Sequence, residues 1–559
     1  MWFVICGVLI LSAVSASWML SAVPLENHEC FVSVTAREML QSHNWIMPTF
    51  NGQPRLQKTP LSYWLVASLA RVTGKADEFT TRLPSAIFAF LSAVAILYFV
   101  NRRLSFRIAV LSAAVWVTSL GYIRYSHNAR PEMLLTFFIT LCLLSFYSAA
   151  AESSRSRQVV YMLMFWASFA LANLAKGPVP IPLILIPLVV YVAVFRRPSA
   201  VSSGPNCWKL LPKMLPIAGP LIFLAILLPW PLAVAHRVNW DLVVWKREFI
   251  DRFLGEYVPG HKPLYYYLGI MFVFVAPWVA FLPMALAAPF YRVWDRKRDV
   301  MQFLWIWFIV GLAFMTISGG KRQHYIMPLM PAMAILIGIL LEDMVFVQKA
   351  FTAKFAKSVL RWHVVVLIAA AAALPIYVAR TLPQLLAGQM YGGLAAVTVV
   401  AAVMIILIIV VAVLFARKHP ALGCAAIFVG IVLVVMICSV GLVNPLNYNE
   451  PSRQFTLGVA QTVPPTDKLV AYRTVSARFI HYFGRTVLEV QTESDADSFY
   501  QQDCWVVAFG KNLDELLETG RFELVYMKQD VERHGSNPVA GGLFHKQSPM
   551  VRSAASTRP

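Results

Sequence analysis

Residues Glu26 to Arg82 read ENHECFVSVTAREMLQSHNWIMPTFNGQPRLQKTPLSYWLVASLARVTGKADEFTTR. The stretch is too polar to sit in hydrocarbon and too rich in Trp, Phe, Met and Leu to be a floppy linker. It is expected to lie along a membrane surface. Upstream of it runs MWFVICGVLILSAVSASWMLSAV, which lacks a basic leader and is long for a signal peptide, so it is read as a retained anchor. Downstream, TTRLPSA (Thr80 to Ala86) carries the chain back into apolar sequence.

Composition agrees with that placement. The 559 residues are 58% hydrophobic and only 14% charged, more apolar side chain than one water-soluble core holds. Apolar runs of about 18 residues, each long enough to cross about 30 Å of hydrocarbon as a helix, recur from Met1 to about Val443. Spans are expected near 2–23, 83–100, 108–125, 133–150, 159–175, 179–195, 214–235, 264–291, 301–317, 325–342, 363–379, 393–415 and 421–443. The fold class that follows is a polytopic α-helical membrane protein of about 13 transmembrane helices.

Basic residues concentrate in every second loop, as at Arg102, Arg103 and Arg107, Arg196 and Arg197, Lys297 and Arg298, and Arg417 and Lys418. These loops are assigned to the cytoplasm. The amino terminus is then inside and the carboxyl terminus outside, in the inner membrane of a cell envelope. On this reading the net charge of +20 is mostly an orientation signal, and nucleic acid is not an expected partner.

After Val443 the pattern changes. A polar connector, NPLNYNEPSRQF, leads to strand-like runs (KLVAYR, TVLEV, CWVVAFG, FELVYM) alternating with helix-like ones (SARFIHYF, DADSFYQQ, NLDELLETG). The expected domains are a membrane catalytic domain over 1–443 and an outer-face α/β domain over 444–545. The sequence from His534 reads as poorly ordered, and 546–559 as a disordered tail. Cys30 and Cys504 are the two cysteines expected outside, so a bridge between them is one geometric option. No Walker A loop, Rossmann fingerprint, GxSxG or zinc-spaced Cys/His cluster occurs. Any reaction must therefore draw on an already activated substrate.

The outer loops carry both signs of charge where apolar spans meet water. Ionisable groups at such depth are costly and point to function. Lys58, Arg82, Arg130, Lys176, Lys321 and Arg322 stand at outer span ends, interleaved with Glu29, Glu132, His261 and His324. Each has a bland reading: Glu29 as a helix-dipole partner in the first turn of an amphipathic helix over Glu29 to Gln41, Lys58 as a snorkelling lysine. Together they suit a phosphate or diphosphate held at the surface, with one carboxylate left for proton transfer.

The ordered motifs HECFVSVTAREML, PRLQKTPLSYWL, DEFTTRLPSA, ARPEMLLTFF, LAKGP, HKPLYYYL and GGKRQHYIMPLMPA resemble the aminoarabinose transferase and protein O-mannosyltransferase group of the glycosyltransferase C superfamily. The resemblance covers most of residues 24 to 335. It implies amphipathic surface helices in the first outer loop and an outer soluble domain. It also implies inverting transfer of a sugar from a polyprenyl phosphate carrier to a lipid, glycan or protein acceptor. Some family positions differ here. The first-loop acidic pair falls on His28 and Glu29, Glu132 stands where an Asp follows Arg-Pro, and the Glu-Lys-Pro-Pro motif reads Gln57, Lys58, Thr59, Pro60. Phe31 stands where an arginine is frequent.

From the resemblance, Glu29 is the expected base, with Glu132 and His28 as further catalytic candidates. Lys58, Arg82, Arg130, Lys176, Lys321 and Arg322 are expected at the carrier phosphate, and His261, His324, Tyr325 and Tyr63 in the substrate pocket. A divalent metal ion is left open, with His261 and Gln57 as its candidate ligands. The alternatives are a polyprenyl-lipid flippase or transporter and a catalytically altered binding homologue.

Overall fold

The computed structural model describes residues 2–194, 214–237, 245–256, 262–291, 297–347, 390–439, 450–490, 504–520, 522–534 and 537–546, with a few isolated residues between them. Among these, eight helices are long and apolar enough to cross a membrane, and two bent pairs, Phe106–Thr118 with Leu120–Ser126 and Tyr266–Val275 with Trp278–Phe290, bring the number to as many as ten. Two shorter apolar helices, Trp2–Ser17 and Pro180–Val194, fall on further expected spans. The expected span at 363–379 lies almost wholly outside the described residues.

The chain divides into two compact units. One comprises Met1–Leu20, Leu56–Ser62 and Arg82–Pro445; the other comprises Ser21–Arg55, Tyr63–Thr81 and Leu446–Pro559. A single linear boundary at 443 would leave the first outer loop with the spans, whereas most of that loop packs with the carboxyl-terminal segment.

In the membrane unit, lipid-facing and helix-facing surfaces are both apolar, so close approach and buried polar pairs hold the helices. Gly338 illustrates the first device: an added Cβ there would sit 2.7 Å from the Ser112 Cα of a neighbouring helix. Polar pairs supply the second, with Trp116 Nε1 donating to Ser92 Oγ at 2.7 Å and Trp278 Nε1 to Thr118 Oγ1 at 3.1 Å. Asp299, in the first turn of Arg298–Ile317, accepts from the hydroxyls of Tyr147 at 2.7 Å and Tyr191 at 3.1 Å.

The second unit carries two sheets. A short hairpin pairs β1 (Thr49–Phe50) with β2 (Gln53–Pro54). A five-stranded sheet has the order β4-β3-β5-β7-β6, from β3 (Leu469–Tyr472), β4 (Leu488–Val490), β5 (Cys504–Phe509), β6 (Glu523–His534) and β7 (Asn537–Lys546). β3 pairs in parallel with β4 and β5, and β7 runs antiparallel between β5 and β6. Two expectations need correction here. Residues Asn537–Lys546 of the stretch after His534 form β7, because GGLFHK completes a hairpin whose Leu543 and Phe544 are fully buried. The connector ending in NEPSRQF opens a helix, Glu450–Thr462, whose Phe455 and Val459 enter the core. Lys546 closes β7, and 547–559 and DADSFYQQ lie outside the described residues.

The same core takes a residue from the first outer loop. Val34, on the helix Asn27–Ser42, is fully buried with Phe455, Leu469, Phe479 and Leu543. Arg37 of that helix donates to the carbonyls of His481 at 2.9 Å and Ile480 at 3.2 Å. The Tyr482 hydroxyl accepts from the Leu25 amide at 2.9 Å and donates to Glu78 at 2.8 Å. Cys30 and Cys504 are not joined in a disulfide, so the bridge between them does not form.

Candidate functional site

In the membrane unit, the ends of several helices bring the expected charges together. Pro131 precedes the helix Glu132–Ala150 and Asn128 Oδ1 accepts the Arg130 amide at 3.1 Å, so Glu132 lies in the first turn, where a carboxylate suits the helix dipole. Lys176 closes the helix Arg155–Lys176, where a cation suits it. Gly177 then turns the chain at φ +65°, a backbone state that favours glycine.

These two termini meet. Lys176 Nζ donates to Glu132 Oε1 at 2.7 Å, and both side chains are nearly buried. His324 Nε2 lies 3.4 Å from the same oxygen, and its Nδ1 is 3.4 Å from Arg130 Nη1. The Lys176 ammonium also stands 4.9 Å from the centre of the Tyr325 ring. Among the described residues, the buried Glu132 Oε2 has no hydrogen-bond partner. A carboxylate oxygen left bare among cations is costly unless something else fills the place.

Lys58 joins from the QKTP motif, and its ammonium is ion-paired with Glu248, which also pairs with Arg252. Desolvation lowers the Lys58 pKa; Glu248 opposes the shift, and Arg252 and Lys176 add to it. The Lys58 side chain is 42% accessible. Glu248 and Arg252 were missed in the sequence. Their signal was WKREFIDRF, in which an acid and a base four residues apart share one face of a turn.

Other expected residues have more local partners. Arg82 is buried and donates to the Leu20 carbonyl at 2.8 Å. Lys321 is buried, and Arg322 half-buried, just before His324 and Tyr325. His261 lies outside the described residues.

Glu29, His28 and Tyr63 belong to the other unit. Glu29 is completely buried, and its Oε2 accepts the Glu26 amide at 2.8 Å in a reciprocal cap of its own helix. His28 beside it is exposed. Tyr63 is buried with Val32 and Met39, and its hydroxyl accepts from Arg55 Nε at 3.1 Å. The Arg55 guanidinium lies 4.1 Å over the Phe31 ring, so a cation from the hairpin covers the position where relatives often carry an arginine. Among the described residues no group of three His, Cys, Asp or Glu could hold a metal ion. Gln57 offers an amide where a hard divalent cation would prefer a carboxylate.

Comparison with known proteins places this geometry. Residues 57–230 match the family described as dolichyl-phosphate-mannose-protein mannosyltransferase. Undecaprenyl phosphate-alpha-4-amino-4-deoxy-L-arabinose arabinosyl transferase of Pseudomonas aeruginosa strain UCBPP-PA14 is 30% identical over 327 residues, 56% of each chain. The corresponding transferase 2 of Pseudomonas fluorescens strain Pf-5 is 30% identical over 342 residues, 57% of this chain and 54% of that one. The match thus spans only a little over half the length of these relatives. The crystal structure of ArnT from Cupriavidus metallidurans bound to undecaprenyl phosphate superposes with a TM-score of 0.78 at 19% identity, covering 98% of both chains. The chain has the ArnT fold. The apo structure of ArnT gives a TM-score of 0.76 at 20% identity, with 96% of this chain and 97% of that one covered. ArnT is bound to undecaprenyl phosphate and the two relatives are named for it, and Lys58, Arg130, Glu132 and Lys176 fall within the matched residues 57–230.

Proposed function

We propose that the protein is an integral membrane glycosyltransferase that moves a sugar from a polyprenyl phosphate carrier to a lipid, glycan or protein acceptor at the outer face of the membrane. The observation that carries the reading is the cluster of Lys176, His324 and Arg130 around the half-satisfied Glu132. Thirteen spans, a cytoplasmic amino terminus and an outer-face carboxyl-terminal unit complete the topology.

The reaction is a displacement at the anomeric carbon. The acceptor oxygen forms the new glycosidic bond while the carrier's phosphate oxygen leaves with the old bonding pair. Lys58 and Lys176 stabilise the negative charge that grows on the departing phosphate, with Arg322 and Lys321 alongside. Glu132 takes the acceptor's hydroxyl proton at its bare Oε2. Its bond to Lys176 restrains that basicity in the resting state. A phosphate that draws on Lys176 relaxes the restraint as donor binds. Glu29, tied into its helix cap, holds the first outer loop in place.

The test is transfer from undecaprenyl phosphate-linked aminoarabinose, followed by release of undecaprenyl phosphate with lipid A or a protein extract as acceptor. Glu132→Gln should lower the rate by about 100-fold or more with carrier binding intact. Glu29→Gln should keep most of the rate and lower thermal stability. Full activity in Glu132→Gln would remove Glu132 as the base, and carrier that stays intact with every acceptor while crossing liposomes would reject the transferase reading.

A further inference from the structure

His127 closes the short helix Leu120–Ser126 and opens the turn that carries Arg130 and Glu132. Its ring lies between two backbone carbonyls. Nδ1 is 2.8 Å from the Ile123 oxygen, and Nε2 is 2.9 Å from the Trp18 oxygen. A carbonyl only accepts, so each contact is a hydrogen bond only when the nitrogen facing it carries a proton, and a neutral imidazole carries one. The imidazolium satisfies both. In the neutral ring one nitrogen turns a lone pair on an oxygen. The Ile123 bond spans four residues and stays with its helix, so the contact given up is the one to Trp18, 109 residues away in the chain. Keeping that bond instead would require Ser126 Oγ, 3.1 Å from Nδ1, to leave the Ile123 carbonyl to which it donates at 2.9 Å.

Trp18 follows the first helix, Trp2–Ser17, whose last carbonyls have no donors within the helix and attract cations. Two cationic side chains reach this end, His127 at Trp18 and Arg82 at Leu20. A longer bond, from Ser85 Oγ to the Arg130 carbonyl at 3.4 Å, holds the turn from the helix Glu78–Arg103. We infer that His127 is a positioning residue for sugar transfer: as the imidazolium it fastens the SHNARPE turn to the end of the first helix and so holds Arg130 and Glu132 in their working places. This role rests on the reading of Glu132 as the base and adds a titratable control outside the reacting groups. Burial pushes the His127 pKa below its ordinary 6.5, the two carbonyls oppose that shift, and the guanidinium of Arg82, the charged group facing the ring among the described residues, adds to it. The ring is therefore mostly neutral at about pH 7.5 and gains its second proton as pH falls below about 6.5.

The experiment takes two readings on the detergent-solubilised full chain between about pH 5.5 and about pH 7.5. One is the hydrogen-exchange protection of the amides in residues 127–132, corrected for the intrinsic effect of pH. The other is kcat for transfer from undecaprenyl phosphate-linked aminoarabinose to lipid A. Relative to His127→Gln, which is uncharged at every pH, the wild type should gain about fivefold in protection and about threefold in kcat on acidification, with KM for the donor unchanged. Taking the ratio cancels the titration of Glu132 and His324. His127→Lys, charged throughout, should hold the higher protection and kcat at about pH 7.5, and it provides the test if the glutamine variant does not fold. A protection ratio that does not change with pH overturns the inference, and so does a kcat ratio that stays constant while protection changes. If protection follows pH as expected and no sugar is transferred at any pH, the tether stands and it is the transferase reading that fails.

Discussion

At the scale of single residues, the Glu132 and Lys176 pair decides most. Both side chains are nearly buried and 2.7 Å apart, and breaking such a pair leaves an uncompensated charge that costs about 3–5 kcal/mol. Lys176→Met should therefore lower the thermal midpoint sharply, and adding Glu132→Gln should recover part of the loss, since the glutamine removes the stranded charge. Additive losses in the double variant would show that the two side chains do not interact. Gly177 has a separate constraint: at φ +65° and against Phe249 it has no room for a side chain. Gly177→Ala should then displace Phe249 and its turn, weakening carrier binding as well as stability. Residue by residue, the charges that the sequence motifs lack come from elsewhere in the chain, with Arg55 over Phe31 and Glu248 on Lys58. WKREFIDRF signals the Glu248 and Arg252 pair, but neither contact, Arg55 on Phe31 or Glu248 on Lys58, could be read in the sequence, because each depends on a long separation or a hairpin register. The motif residues Glu132 and Lys176 were legible, since span ends are where unpaired charge is most conspicuous.

At the scale of elements, the helix Asn27–Ser42 is fixed by its neighbours more than by its own propensity. Its hydrophobic face was readable from spacing, and the structure puts Val34 from that face into the core of the sheet domain. The polar ties were not readable, because Arg37 and Tyr482 bond to backbone carbonyls and amides that any sequence would offer. Tyr482→Phe removes a hydroxyl that serves both the Leu25 amide and Glu78, so it should cost about 1–3 kcal/mol of stability. The neighbouring His481 gives the element a pH response. Burial lowers its pKa to about 3, with Arg37 and Arg453 adding to the shift and Asp77 opposing it. The unfolded chain, with an ordinary histidine near 6.5, binds a proton that the folded chain refuses. The contribution of His481 is thus intact above about pH 6.5 and is lost as pH falls from there toward about 3, by about 1.4 kcal/mol per unit. A His481→Gln variant followed by thermal unfolding at pH 7.5 and pH 5 should lose less stability on acidification than the wild type. An equal loss in both would remove His481 as the source.

At the scale of the whole molecule, the division into two units follows contacts rather than chain order. The alternation of strand-like and helix-like runs identified the sheet domain, and apolar run length identified the spans, since both signals are local. What was not local is that the domain borrows Ser21–Arg55 and Tyr63–Thr81. Without those two segments the core cluster loses Val34 and the Phe50 packed against it. A large-to-small vacancy of that kind in a well-packed core costs about 2–5 kcal/mol, a large share of what a domain of this size has in reserve. The segment 446–559 expressed alone should therefore be aggregation-prone or lack a cooperative melt. Joining residues 21–81 to it through a flexible linker should restore a single thermal transition by circular dichroism, and Val34→Asp in the joined protein should abolish that transition again. A cooperative, soluble 446–559 with the same midpoint would mean that the borrowed helix contributes nothing to the domain. The first outer loop would then owe its position to the membrane surface, as an amphipathic layer, and the bonds from Arg37 and Tyr482 would be consequences of that placement rather than causes of it.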